Sequence, residues 1–189
     1  MGTFHNGSCF CGFVRYRLTS APMFVHCCHC RDCQKQSGGA FAINALIEAD
    51  RMEVSQGDTV PVSMHTDSGR PHIIHRCPKC HTALWSNYGG RNETRFVRVS
   101  TLDDAARFAP DVHIFTRSKL PWVHLPGEPG VPLDNGATTG KPARVFEVYY
   151  DTKAEWPAES LARRKANAEK AAKKITRESP SPPWGRGPG

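Results

Sequence analysis

Eight cysteines occur in this 189-residue chain, and they fall in three groups. Cys9-Phe10-Cys11 comes first, His26-Cys27-Cys28-His29-Cys30-Arg31-Asp32-Cys33 second, and Cys77-Pro78-Lys79-Cys80 third. Thiols gathered this way serve as soft metal ligands more readily than as packing. In a strand, residues i and i+2 share a face, so Cys9 and Cys11 can reach one ion. The Cys77–Cys80 knuckle aims two more thiolates at a point. Two pre-organised pairs joined by a long loop make a Cys₄ tetrahedron with Zn–S near ~2.3 Å, a closed structural site. Free buried thiols are the plain alternative.

The central group must then supply a metal almost unaided. If residues 25–30 are extended, His26, Cys28 and Cys30 face one side, and Cys27 and His29 the other. Cys33, one turn further on, can join Cys28 and Cys30. Three thiolates leave a fourth position for water, His26 or a substrate, the form a catalytic zinc takes. With three thiolates the complex carries a net charge of −1, which suits activation of another thiol beside a small carbonyl. A second closed site, with Cys27 or His26 as fourth ligand, has the same spacing. Cys27 reads as a packed thiol, because Cys28, Cys30 and Cys33 repeat the spacing logic of Cys9 and Cys11.

The elements that position these groups are mainly strands. Val14, Tyr16 and Leu18 alternate with Arg15 and Arg17, predicting a half-buried strand that turns at residues 19–22. Residues 23–28 form a second strand that runs into the cysteines. Gln34 to Ser37 is a short helical turn stopped by Gly38-Gly39. Strands follow at 40–47, 51–54, 83–86, 94–99 and 111–116, with a hairpin from 60–66 and 72–76. Residues 103–108 make one helical turn. The stretch 125–143 is a Pro/Gly-rich loop, and 145–150 a last strand. Pro157 opens the one long helix, to about 174. Its apolar stripe, Leu161, Ala168, Ala172 and Ile175, is thin, which predicts a helix that packs weakly or stands off the body. The chain divides into a zinc-binding β domain over 1–150, a helical extension over 151–178 and a disordered tail over 179–189.

Composition narrows the function classes. Hydrophobic residues make up 39% and charged residues 23%, an ordinary globular balance. The net charge is +7. Residues 1–150 hold 16 Lys/Arg against 13 Asp/Glu, a net of +3, and residues 151–189 hold 9 against 5, a net of +4. Charge concentrated in the tail reads as solvation and makes a nucleic-acid partner an unfavoured reading. No signal peptide and no membrane span is expected, so a reducing cytoplasm is. In that compartment clustered cysteines read as metal-binding or catalytic.

Gly7-Ser8-Cys9-Phe10-Cys11-Gly12, Val14-Arg15-Tyr16, Cys28-His29-Cys30-Arg31-Asp32-Cys33-Gln34-Lys35 with Ser37-Gly38, Cys77-Pro78-Lys79-Cys80, and His113-Ile114-Phe115-Thr116 with Lys119-Leu120-Pro121-Trp122 carry a resemblance. Together they resemble the glutathione-dependent formaldehyde-activating enzymes, a family that includes the centromere protein V relatives. The resemblance implies a β-tent fold. It implies two zincs per chain: a structural one on Cys9, Cys11, Cys77 and Cys80, and a labile, catalytic one on Cys28, Cys30 and Cys33. Glutathione is the implied co-substrate and formaldehyde the electrophile, joined by a carbon–sulfur lyase into S-hydroxymethylglutathione in a detoxifying reaction. Arg31, Arg117 and Lys119 are the candidate cations for glutathione's carboxylates. Two positions depart from the family pattern: His81 stands where a glycine usually follows the knuckle, and Arg76 where an aromatic usually precedes it. Two other readings stay open, a zinc-stabilised binding module without catalysis and an enzyme acting on a different small electrophile. The sequence sets no oligomeric state.

Overall fold

The computed structural model describes residues 4–66, 69–125, 144–145 and 156–178. They form two sheets and two α-helices, joined by 3-10 turns. The fold is mainly β, as expected. The small sheet has the order β1 (His5–Ser8), β2 (Arg15–Leu18), β5 (Met52–Gln56). The large sheet uses β3 (Phe24–Cys28), β4 (Ala42–Glu48), β6 (Val60–Met64), β7 (His72–Arg76), β8 (Ala83–Tyr88), β9 (Thr94–Arg98), β10 (Val112–Ile114) and β11 (Arg144–Val145). Its order is β11-β10-β3-β4-β9-β8-β7-β6, and β10 runs parallel to both β3 and β11. The predicted hairpin is present as β6–β7. β1 was not anticipated, because His5-Asn6-Gly7-Ser8 carries no apolar alternation to announce it. The expected last strand is described only at its first residue, Val145; the Pro/Gly-rich loop beyond Leu125 and the tail lie outside the described residues.

Each face of the large sheet has its own core, because side chains alternate along every strand. On one face Val25, Ala45, Ile47, Trp85 and Val97 pack against Val14, Tyr16 and Leu18 of the small sheet, with Cys9 and Cys77 among them. On the other, Phe24, Leu46, Phe96, Val112 and Ile114 pack with Met23, Cys28 and Trp156. The first cysteine set is thus built between the sheets, and Cys28 on the outer face of the large one.

Helix α1 (Arg31–Ser37) follows β3 directly. Cys30 is its N-cap, with Sγ accepting from the Cys33 N–H at 3.4 Å. Gly38 ends it in the left-handed conformation, φ 67°, which costs a residue without a Cβ nothing.

Helix α2 (Ala158–Glu178) buries little apolar surface, as its thin stripe implies, but it does not stand off the body. Its buried positions are Ser160 and Asn167, two turns apart; of the predicted stripe, Leu161 packs partly buried against the outer core, and Ile175 is turned outward, 67% exposed. The docking is polar. Ser160 Oγ donates to the Met23 carbonyl at 2.5 Å, and Asn167 Nδ2 to the Glu93 carbonyl at 2.6 Å. Arg163 grips Glu48 through Nε at 2.9 Å and Nη2 at 2.7 Å. Trp156, just before the helix, stacks on Phe24 with ring centroids 5.0 Å apart. A hydropathy pattern cannot show a stripe of this kind, since its members are the residues it counts as solvent-facing.

Candidate metal and thiol site

Cys9, Cys11, Cys77 and Cys80 converge, with all four sulfurs within 4.8 Å of one another. Cys9 Sγ lies 3.6 Å from Cys11 Sγ, which lies 3.8 Å from Cys77 Sγ. Four sulfurs about 2.3 Å from a common tetrahedral centre stand about 3.8 Å apart, so the set fits zinc. Backbone N–H groups already point at the sulfurs: Val14 to Cys9 at 3.3 Å and Lys79 to Cys77 at 3.4 Å. Such donors stabilise thiolates and orient them. The Thr82 hydroxyl, 3.2 Å from Cys80 Sγ, pulls that thiol down to about 5. Burial opposes the charge on Cys9, but the Val14 N–H and neighbouring thiols outweigh it and hold the thiol below its ordinary value. Cys11 accepts a hydrogen bond from the Phe13 backbone, yet burial and the other thiols push it up to about 11.

The knuckle closes through the His81 N–H, which donates to the Cys77 carbonyl at 3.0 Å. His81 itself sits at φ 58°, in the left-handed region. That is why a glycine suits this position, and histidine is among the side chains that tolerate it.

The second set is the trio Cys28, Cys30 and Cys33, again within 4.8 Å of one another. Cys28 comes from the end of β3, Cys30 from the cap of α1 and Cys33 from its first turn. Among the described residues, no fourth Cys, His, Asp or Glu ligand atom lies that close to all three. Hydrogen bonds from Cys28 and Cys33, joined by the backbone of Cys33 and Asp32, hold the Cys30 thiol down to about 2. The same interactions push Cys28 up, with burial adding to them. Cys33 is lowered by its contact with Cys28, but the Cys30 charge and burial prevail and push it up to about 12. The trio is thus ready to carry negative charge at its centre before any cation arrives, and three sulfurs of this kind fit a soft divalent ion.

The surroundings of the trio were only partly legible. Across β3, β4 and β9 the register places His26, Asn44 and Arg98 in one row. Cys28 is two residues on from His26 and so shares its face. Arg98 is 8% exposed, and its guanidinium donates to Asn44 Oδ1. Its charge reaches the trio, where it works to lower Cys33. Arg98 points inward. His26 is not a member of the trio. Burial, helped by Arg98, pushes its imidazole down to about 4 and keeps it neutral, and its ring meets Phe96 edge-on at 5.7 Å. Gln34, buried in α1, donates to the carbonyls of His29 at 2.7 Å and Ser118 at 2.8 Å, tying the trio's helix to the 113–118 segment.

Of the three candidate cations, Arg31 and Arg117 are exposed and Lys119 is half-buried. Arg31 Nη1 donates to Gln34 Oε1 at 2.9 Å, and Lys119 Nζ to the Val123 carbonyl at 2.6 Å. Cys27, expected to be a packed thiol, is buried but turns away from the trio; Sγ lies 3.6 Å from His29 Nε2.

The profile of the family described as glutathione-dependent formaldehyde-activating enzyme matches residues 4–118. The chain belongs to this family. A Halomonas elongata protein named for the same activity is 32% identical over 124 residues, covering 63% of this chain and 79% of that protein. A solved structure of a Rhodobacter sphaeroides protein aligns over 52% of this chain and 87% of its own, with 20% identity and a TM-score of 0.41. The matched region of the family contains all eight cysteines, and it ends before α2 begins.

Proposed function

We propose that the chain adds glutathione to formaldehyde, forming S-hydroxymethylglutathione at the Cys28–Cys30–Cys33 trio. One observation carries this reading: three converging sulfurs have no fourth protein ligand among the described residues, so a substrate sulfur has a place to bind. The family's name supplies the two reactants. The reaction is a net addition of S–H across C=O. The sulfur forms a bond to the formaldehyde carbon, the carbonyl π pair becomes an alkoxide, and the thiol's proton ends on that oxygen. Nothing is oxidised or reduced.

A zinc ion held by Cys28, Cys30 and Cys33 would supply Lewis acidity, favouring the substrate sulfur as thiolate. The rest falls to the chain's own residues. Arg98 offsets the negative charge that gathers when several sulfurs ionise in a buried place. Phe96, Leu46 and Trp156 form an apolar wall on the trio's side of the sheet and limit water. Neutral His26 adds no positive charge to compete with Arg98. Exposed Arg117 is the cation of choice for a glutathione carboxylate; Arg31 and Lys119, engaged with Gln34 and Val123, serve after re-aiming. Cys9, Cys11, Cys77 and Cys80 would hold the structural zinc. No helix among the described residues is long and apolar enough to cross a membrane. Detoxification of formaldehyde in a reducing cytoplasm is the setting this chemistry suits.

The test is glutathione titrated into the zinc-loaded protein, read by calorimetry and by zinc release to a chelator. Saturable binding that is lost in Cys30→Ser, with the far-ultraviolet circular dichroism unchanged, is the expected result. Indifference of both the metal and the heat signal to glutathione would sink the reading.

A further inference from the structure

Strand β3 carries ligand-type side chains on both faces, and those opposite the trio have been given no task. Cys27 and His29 are two residues apart and share a face. His113 is the register partner of Cys27 on the parallel neighbour β10 and so stands beside it on that face. Together they bring one sulfur and two imidazole nitrogens within 4.8 Å of one another. We propose that Cys27, His29 and His113 form a third metal site, distinct from the two cysteine sets, that binds zinc.

The distances carry the chemistry. A tetrahedral ion with Zn–S about 2.3 Å and Zn–N about 2.0 Å holds its sulfur and nitrogen ligands about 3.5 Å apart, and two nitrogens about 3.3 Å apart. Cys27 Sγ lies 3.6 Å from His29 Nε2, and His29 Nε2 lies 3.0 Å from His113 Nδ1. The first spacing is met, and the second needs a few tenths of an ångström.

The position is also prepared. Cys27 is 1% exposed and His29 0%. The His29 N–H donates to the Ile114 carbonyl at 3.0 Å, which ties β3 to the residue after His113. The His29 carbonyl is gripped by Gln34 at 2.7 Å. The ring of His29 packs edge-on against Phe41, 5.4 Å away. His113 is half-buried, so an ion reaches the site from its side.

Charge distinguishes the three sites. With a divalent ion, four thiolates leave −2 and three leave −1, whereas one thiolate and two neutral imidazoles leave +1. The third site is therefore the strongest Lewis acid of the three, and among the described residues no fourth Cys, His, Asp or Glu ligand atom lies as close, which leaves a fourth position for water or another small oxygen ligand. A buried thiol beside a hydrogen-bonded histidine pair is the competing account of the same atoms, and metal counting separates the two.

The experiment reconstitutes the full chain with zinc, removes excess by gel filtration, and measures zinc per chain. Wild type is expected to hold three ions, His113→Ala two, and Cys27→Ala two. Cadmium NMR of the cadmium-loaded protein should show three resonances, of which the most shielded, that of the single-thiolate site, disappears in either variant. Cys30→Ser should lose a different resonance and keep this one. The proposal is overturned if wild type holds two ions or fewer, or if either folded variant, judged by circular dichroism, retains all the ions of wild type. Cys27→Ala, a small change at a buried position, decides the matter should His113→Ala not fold.

Discussion

Glu48 and Arg163 are 115 residues apart in sequence, yet Arg163 Nη2 donates to Glu48 Oε2 at 2.7 Å in a pair that is largely buried, with side chains 16% and 5% exposed. The pair fastens α2 to the end of β4. Removing one partner leaves the other buried without its counter-charge, which costs about 3–5 kcal/mol where the site cannot open. Here the helix can lift away instead. Arg163→Met is expected to strip hydrogen-exchange protection from the α2 amides while the sheets stay protected. Unchanged protection in α2 would show that the helix is held without this pair.

The same pair sets a pH dependence. Burial works to raise the Glu48 carboxyl, but hydrogen bonds from Arg163 outweigh it and hold the group below its ordinary value. A carboxyl lowered in the folded state stabilises fully above its unfolded value, about 4.3, and loses that contribution as pH falls through the folded value. Protection of α2 should thus be flat from neutral pH to about 5 and fall in more acid solution. In Arg163→Met this dependence should vanish or reverse, since a buried carboxyl without its partner is favoured by protonation.

The cysteine sets were legible because two rules of chain geometry suffice for them: alternation along a strand, and the tight turn of a CxxC knuckle. Cys28, Cys30 and Cys33 meet as their spacing implies. Arg98 was not legible, since a charged residue opposite Val97 and Val99 reads as solvent-facing until the β3-β4-β9 register brings it to His26 and Asn44. His113 was named only as part of a motif. Its neighbourhood with Cys27 depends on a parallel pairing between segments 86 residues apart, which no local pattern records.

His81 offers a test of local strain. At φ 58° a side chain pays roughly 1 kcal/mol relative to glycine, partly offset by glycine's greater freedom in the unfolded chain. His81→Gly should leave stability unchanged or raise it by up to about 1 kcal/mol. His81→Val, β-branched, should lower it and speed zinc loss from the knuckle. Equal melting temperatures for the glycine and valine variants would remove the strain argument.

Cys77 and Gln34 separate the two cysteine sets. Cys77 is 0% exposed, within the core between the sheets. If the Cys9, Cys11, Cys77 and Cys80 set holds a structural zinc, Cys77→Ser should abolish cooperative unfolding, because such an ion contributes about 10 kcal/mol or more in small zinc domains, comparable to a whole domain's stability. Gln34→Leu removes the donor to two carbonyls and should cost about 1–3 kcal/mol. Its sharper effect is expected in chelator competition: faster metal loss from the Cys28 trio, with the Cys9–Cys80 set unchanged. Equal acceleration at both would assign Gln34 to general stability.

Arg98 gives the closest test of how the trio manages charge. Three thiolates and a divalent ion leave −1, and a substrate thiolate makes it −2. A buried guanidinium on the same face, held by Asn44, offsets part of that charge without solvent competing for it. Arg98→Met preserves the bulk and removes the cation. Thiol binding should weaken by about tenfold, the equivalent of ~1.4 kcal/mol. The loss should be the same for glutathione and for 2-mercaptoethanol, because the charge being answered lies on sulfur. If only glutathione loses affinity, Arg98 holds a carboxylate instead, and the trio's charge is balanced elsewhere. The fold supplies its own control: Arg98→Met should leave the Cys9, Cys11, Cys77 and Cys80 set, on the other face of the sheet, with its metal content unchanged.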